Sequence, residues 1–250
     1  MSGHSKWATI RRKKEITDSR RGQMFTKLAR EITTAAKEGG ASVDTNFRLR
    51  LAVQKARIES MPSENIDRAI ARGAGASAEG SNYEEITYEG YGPVGSAIII
   101  QALTDNRNRT VGEIRAAMSR SGGNLGENGS VIWMFKSQGM IAVEPEKYSV
   151  DEIELAAIEA GADDVQSDEE DNVIVYVPLA GLRATTESLN AAGFKVTSSE
   201  RTMTPTTTME LDANDTAKVM RLVEKLEELD DVQQVYTNLE FTEAAMAGLE

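Results

Sequence analysis

The chain has 250 residues, 40% of them hydrophobic and 27% charged, with no cysteine and a single histidine. This size and balance fit two or three domains with cores of their own, and they exclude disulfides, thiolate catalysis, cysteine-ligated zinc and any site needing several histidines. Net charge is −12, but residues 1–75 carry 16 Lys and Arg against 8 Asp and Glu, while residues 76–250 carry 12 against 32, so one end should approach a polyanion and the rest should repel it.

Residues 1–20 read as a polar, basic arm: Lys6, then Arg11, Arg12, Lys13 and Lys14, then Arg20 running into Arg21. So few apolar residues cannot fold alone, and the arm should order on meeting a partner. Positive charge without an apolar run behind it does not suit a secretory signal, and Glu15 and Asp18 do not suit an acid-poor transit peptide. The most apolar stretches, Ala97–Ile100 and Val173–Val177, are strand-length, far below the roughly 20 residues that span a bilayer. A cytoplasmic protein without a membrane segment is expected.

From Arg21 to Glu38, Met24, Leu28, Ile32 and Ala35 recur at helical spacing, and Gly39-Gly40 closes the helix. Lys27, Arg30 and Lys37 flank that stripe and continue the arm's charge. A second helix is predicted over Phe47–Ser60, with Arg48, Arg50, Lys55 and Arg57 around a seam of Leu49, Val53 and Ala56. Met61-Pro62 breaks it, Ser63 is placed as the cap of a third helix with Ile66, Ala69 and Ile70 inward, and Gly73 ends that helix. Gly73 through Asn82 is a linker. Its GxGxxA spacing imitates a dinucleotide loop, but it leaves a helix and enters a strand, the reverse of what that motif requires.

Beyond residue 82 the pattern is α+β. Strands are predicted at Glu84–Tyr88, Ser96–Leu103, Val131–Phe135, Met140–Val143 and Val173–Val177, and near Lys195–Ser199, Thr207–Leu211 and Val232–Tyr236. Thr110-Val111-Gly112-Glu113 and Ser149-Val150-Asp151-Glu152 read as capping boxes opening helices. Further helices are predicted at Leu182–Ala192 and Asp215–Leu229. Two small sandwiches follow, each a sheet with helices on one face.

Several strings then resemble one family in order along nearly the whole chain: Gly3-His4-Ser5-Lys6-Trp7-Ala8, Phe25 through Ile32, Met61-Pro62, Arg68-Ala69-Ile70, Tyr88 through Pro93, Asp105 through Thr110, and Gly129-Ser130-Val131 with Trp133. They are similar to the YebC/PmpR family, which is related to the mitochondrial translational activator of cytochrome c oxidase. The resemblance implies an α+β protein with an N-terminal three-helix domain followed by two small α+β sandwich domains, the third inserted in the second. The expected divisions are residues 1–75, residues 83–130 with 203–250, and residues 131–202. It also implies a nucleic-acid-binding regulator of gene expression, either a ribosome-associated factor that assists translation or a DNA-binding transcriptional regulator. Phe47, Ser60 and Arg11-Arg12 depart from the family pattern without removing positive charge.

The candidate contacts are His4, Lys6, Trp7, Arg11, Arg12, Lys13, Lys14, Arg20, Arg21, Lys27, Arg30, Arg107 and Arg109. Cations suit phosphates, and an indole beside them suits an unpaired base; Trp7 packing on the helices is the alternative. His4 can stack, donate to phosphate or simply be an exposed terminal residue. If the arm and first helix neutralise about five phosphates, log K against log salt should slope by roughly −3.5 on single strands or −4.5 on duplex. Arg107 and Arg109 stand just ahead of Thr110, where a helix N-terminus favours anions, or they pair with the domain's carboxylates. Gly122 through Gly129 reads as a flexible loop and a further candidate contact. Acid-rich Asp163-Asp164 and Asp168–Asp171 lack the alternation and terminal glutamate of a calcium loop and read as a solvated loop. With no P-loop, nucleophile elbow or His/Cys pair, the expectation is a monomeric protein that is not an enzyme, without metal, cofactor or small-molecule substrate.

Overall fold

The computed structural model describes residues 18–75, 82–167 and 172–242. Two compact units divide the chain: Lys136–Thr204 forms one, and the residues up to Phe135 together with those from Pro205 onward form the other.

The larger unit opens with three helices, α1 (Asp18–Gly39), α2 (Phe47–Ile58) and α3 (Ser63–Gly73). Leu28, Ile32 and Ala35 of α1 meet Leu49, Val53 and Ala56 of α2 and Ile66 and Ala69 of α3 in a core of their own. The apolar stripes read from the sequence are thus the faces that leave water, at about 25 cal/mol per Å² buried. Asn46 joins two helix ends: its side chain accepts from Leu49 N (3.0 Å) and donates to the carbonyls of Ala35 (2.7 Å) and Gly40 (2.8 Å). A Cβ on Gly73 would overlap the Thr33 carbonyl oxygen, so the close approach of α1 and α3 requires glycine there. Ser63 is not the cap; Pro62 holds that position without a side-chain bond.

The same unit continues with β1 (Glu84–Tyr91), β2 (Ala97–Thr104), α4 (Arg107–Arg120) and β3 (Asn124–Leu125). After the smaller unit it resumes with α7 (Ala213–Glu227) and β8 (Val232–Thr237). The sheet order is β3-β1-β2-β8, and its paired neighbours are antiparallel. Ile98 and Ile100 of β2 pack with Ile114 and Met118 of α4 and with Val219, Leu222 and Val223 of α7.

The smaller unit contains β4 (Phe135–Glu144), α5 (Val150–Glu159), β5 (Asp164–Ser167), β6 (Val173–Pro178), α6 (Leu182–Ala191) and β7 (Lys195–Pro205). Its sheet runs β5-β6-β4-β7, and α5 and α6 both pack against β6. Met140, Ile174 and Tyr176 form a separate cluster. Their partners in register (Met140 with Tyr176, Ala142 with Ile174) share a face, and the intervening residues point the other way.

The α+β class is as read from the sequence, and the Ser149 capping box is present with both reciprocal bonds. Four further local readings are corrected. Val131–Phe135 is not a strand: Ile132–Met134 is a single 3-10 turn, and the strand begins at Phe135. Thr207–Leu211 makes one isolated bridge, Met209 to Leu239. The helix placed at Thr110 begins at Arg107 and is capped by Asn106, whose side chain accepts from Arg109 N at 3.1 Å. Asp164–Ser167, in the stretch read as an acid-rich loop, is a strand.

Candidate nucleic-acid interface

Lys27 and Arg30 of α1 turn toward the acidic connection between α7 and β8. Lys27 Nζ donates to the Glu227 carbonyl. Arg30 Nη1 donates to the Asp230 carbonyl (2.7 Å) and to Asp231 Oδ1 (2.6 Å), and its guanidinium lies 5.7 Å from the centre of the Tyr83 ring. Arg109, on the first turn of α4, reaches the same carboxylate: its Nη2 is 2.7 Å from Asp231 Oδ2 and 2.8 Å from Asp105 Oδ1. Arg107 Nε stands 3.8 Å from Glu84 Oε2 at the surface.

Asp231 is 1% exposed and accepts in addition from the hydroxyls of Thr110 (2.7 Å) and Thr104 (3.1 Å). Burial by itself would push its carboxyl upward, but the Thr110, Arg109 and Thr104 donors and the Arg30 charge outweigh that and hold it below its ordinary value. Hydrogen bonds from Asp231 and Asp105 in turn hold Arg109 above the usual guanidinium value. A cleft of about 420 Å³ opens beside this cluster, lined by Gln23, Arg30, Arg109, Glu113, Glu228 and Asp230 among others. Carboxylates outnumber guanidiniums in its walls, which disfavours a phosphate there. Lys27, Arg30 and Arg109 therefore hold the helical part to the first sheet, and Arg109 takes the carboxylate-pairing role.

Other cations remain outward. Arg57 on the last turn of α2, and Arg68 and Arg72 one turn apart on α3, are exposed and carry no ion pair among the described residues. Sequence reasoning left these three out of the candidate set. The signal was present, because with Ile66, Ala69 and Ile70 inward, positions 68 and 72 must face water. Nearby, Arg48 bridges Glu38 and Glu85, and Arg50 donates to the Val43 and Asp44 carbonyls. Arg20 and Arg21 fall on the first turn of α1. His4, Lys6, Trp7, Arg11, Arg12, Lys13 and Lys14 lie outside the described residues.

The Gly122–Gly129 stretch is held more firmly than its glycines suggest. Glu89 of β1 is 5% exposed, and its carboxylate accepts from the backbone N–H groups of Gly129 (2.7 Å), Val131 (2.9 Å) and Ile132 (2.8 Å). Its carbonyl accepts from Gly126 N at 2.8 Å. Burial pushes this carboxyl up, yet the three backbone donors leave it below 4.5. Glu89→Ala should cost about 3 kcal/mol, because three N–H groups lose a charged acceptor; urea unfolding checks the size, and faster amide exchange at Val131 and Ile132 checks the place. A cleft of about 440 Å³ is lined by Tyr88, Glu89, Arg115, Asn124, Glu127 and Asn128 among others.

Among the described residues, no group of three or more His, Cys, Asp or Glu could hold a metal ion, and no helix is long and apolar enough to cross a membrane. Asp163 pairs with Lys136 at 2.9 Å, and Asp168–Asp171 fall outside the described residues.

Residues 5–76 match the family model described as the TACO1/YebC protein N-terminal domain, and residues 83–239 match the one described as the TACO1/YebC second and third domain. A "probable transcriptional regulatory protein" of Herpetosiphon aurantiacus is 54% identical over 244 residues, covering 97% of this chain and 96% of that one. One of the same description from Chloroherpeton thalassium is 51% identical over 249 residues, covering 100% and 99%. Among solved structures, the conserved hypothetical protein Aq1575 of Aquifex aeolicus superposes with a TM-score of 0.81 at 43% identity, over 90% of this chain and 93% of that one.

Proposed function

From its membership of the TACO1/YebC family, to which the chain belongs, we propose that the protein regulates gene expression by binding nucleic acid. Its target is RNA, foremost the RNA of the ribosome, and the basic first 75 residues make the contact. The relatives described as probable transcriptional regulatory proteins support the regulatory role. The family's relation to a mitochondrial translational activator supports the ribosome. The observation that carries nucleic acid is the charge layout, with 16 cations against 8 acids in residues 1–75 of a chain whose net charge is −12.

RNA is favoured over duplex DNA by the character of α3. A major-groove recognition helix presents cations and amides to base edges, whereas the outward face of α3 mixes Arg68 and Arg72 with Glu64 and Asp67, all exposed. The protein acts as a monomer in the cytoplasm, without cofactor, metal or small-molecule substrate. Its acidic remainder, with 12 cations against 32 acids, contributes little to holding phosphates.

A DNA-binding transcriptional regulator is the second reading, favoured by the description its relatives carry. Sedimentation of lysate through a salt-containing sucrose gradient separates the two. Co-migration with ribosomes is expected, whereas absence from ribosomal fractions together with protection of defined promoter sequences would replace RNA by DNA. Within either reading, Arg57→Gln, Arg68→Gln and Arg72→Gln combined should make the salt slope on single strands shallower by about 2, at roughly 0.7 per lost phosphate contact. An unchanged slope in fluorescence anisotropy would put these three outside the interface.

A further inference from the structure

Tryptophan is a costly residue to leave in water, since burying it contributes more apolar area than almost any other side chain. Trp133 is nonetheless 70% exposed. It is also held in place. Its Nε1 donates to the Ser130 carbonyl at 3.1 Å, and the Tyr91 hydroxyl donates to the same oxygen at 3.0 Å. The two aromatic side chains are therefore neighbours around one acceptor, with Tyr91 38% and Ile132 39% exposed beside them. The loop beneath is pinned by Glu89, whose carboxylate takes the N–H groups of Gly129, Val131 and Ile132. A buried acid, three aligned amides and two spent aromatic donors fix an indole that folding alone would have turned inward. What remains on offer is ring face and apolar edge, already ordered.

We propose that Trp133, flanked by Tyr91 and Ile132, is a stacking platform for one unpaired nucleobase of a single-stranded RNA segment. The inference rests on the nucleic-acid reading and deepens it by adding a contact beyond the basic N-terminal residues. Two observations favour a base over a protein partner. The platform is the size of one or two rings, whereas a stable protein interface buries about 800 Å² on each side. Both rings have spent their polar hydrogens on the Ser130 carbonyl, so what they offer is a stacking face, which suits a base. Stacking on an aromatic ring tolerates every base, so the platform selects unpaired strands rather than sequences.

The chain has two tryptophans, Trp7 and Trp133, so Trp7→Phe leaves Trp133 as its only indole. Titration of that full-length variant with a 5′-labelled octauridylate reports binding by anisotropy and stacking by indole emission. The expected result is saturable quenching of Trp133 that follows the anisotropy. Trp133→Ala, made in the same background, should weaken binding about 5- to 100-fold. Trp133→Phe should restore most of that loss, which a merely folded-state effect would not do selectively. An abasic octamer of equal charge should bind the parent protein about as weakly as octauridylate binds the alanine variant. Rising anisotropy without quenching, or equal affinity in the alanine variant, overturns the platform and leaves nucleic-acid binding standing. Unchanged RNA affinity with loss of a protein cross-linked at position 133 assigns the platform to a protein instead. No change in anisotropy at all overturns the nucleic-acid reading itself.

Discussion

Asp231→Ala is expected to lower the unfolding free energy by about 3–5 kcal/mol, the usual cost of removing one partner from a buried ion pair. The carboxylate is buried and serves Arg30, Arg109, Thr104 and Thr110 together, so its loss takes a shared acceptor from two guanidiniums and two threonine hydroxyls in one place. Asp105→Ala removes an acid from the same Arg109 but at the surface, and should cost under about 1 kcal/mol. Urea unfolding of both variants at neutral pH tests the contrast; equal losses would mean that burial is not what gives Asp231 its weight. The pH dependence has a definite sign. The Asp231 carboxyl titrates below its ordinary 3.8 in the folded protein. Its contribution is therefore complete above 3.8 and disappears as pH falls through the depressed folded value. The wild type and Asp231→Ala should accordingly converge in stability on acidification.

Replacing Arg11, Arg12, Lys13 and Lys14 together by glutamine should reduce affinity for single-stranded RNA by about two to three orders of magnitude near 0.1 M salt. The salt slope should become shallower by about 2.8, at roughly 0.7 per phosphate contact. Anisotropy titrations from low to moderate salt measure both quantities. An unaltered slope would remove the arm from the interface. Arg109→Gln should behave in the opposite way. Its guanidinium is engaged by Asp231 and Asp105, so the change should appear in denaturation and leave the slope nearly as it was. Cations that bind phosphate and cations that bind the protein itself are thereby told apart.

The three helices were legible because their information is local. The stripe Leu28, Ile32, Ala35 and the breaks at Gly39, Met61-Pro62 and Gly73 act within a few residues, and the helices end close to where those signals fall. Ser149 with Glu152 was legible for the same reason. Errors arose where a distant residue decided the outcome. Val131 through Phe135 has the composition of a strand, yet Glu89 captures two of its amides and one just before it, bending the segment into a turn. Thr110-Val111-Gly112-Glu113 has the form of a capping box, but the Thr110 hydroxyl is drawn to Thr104 and Asp231 while Asn106 caps the helix four residues earlier. Among the candidate contacts, the sequence marks which residues are charged but not which acid each one faces. Arg30 meets Asp231 across two hundred positions, and no local pattern carries that.

The pairing of β2 with β8 also sets an order of events during synthesis. Strand β2 is central in its sheet, but its second neighbour, β8, is made only after the whole of the smaller unit. Until then the nascent chain exposes a long apolar edge that neighbouring polypeptides can join. The helices and the 136–204 unit have no such wait, because their partners lie close in sequence and loop closure favours near contacts. Truncation just before Val232 would leave that edge permanently open, and a chaperone's client in place of a finished protein.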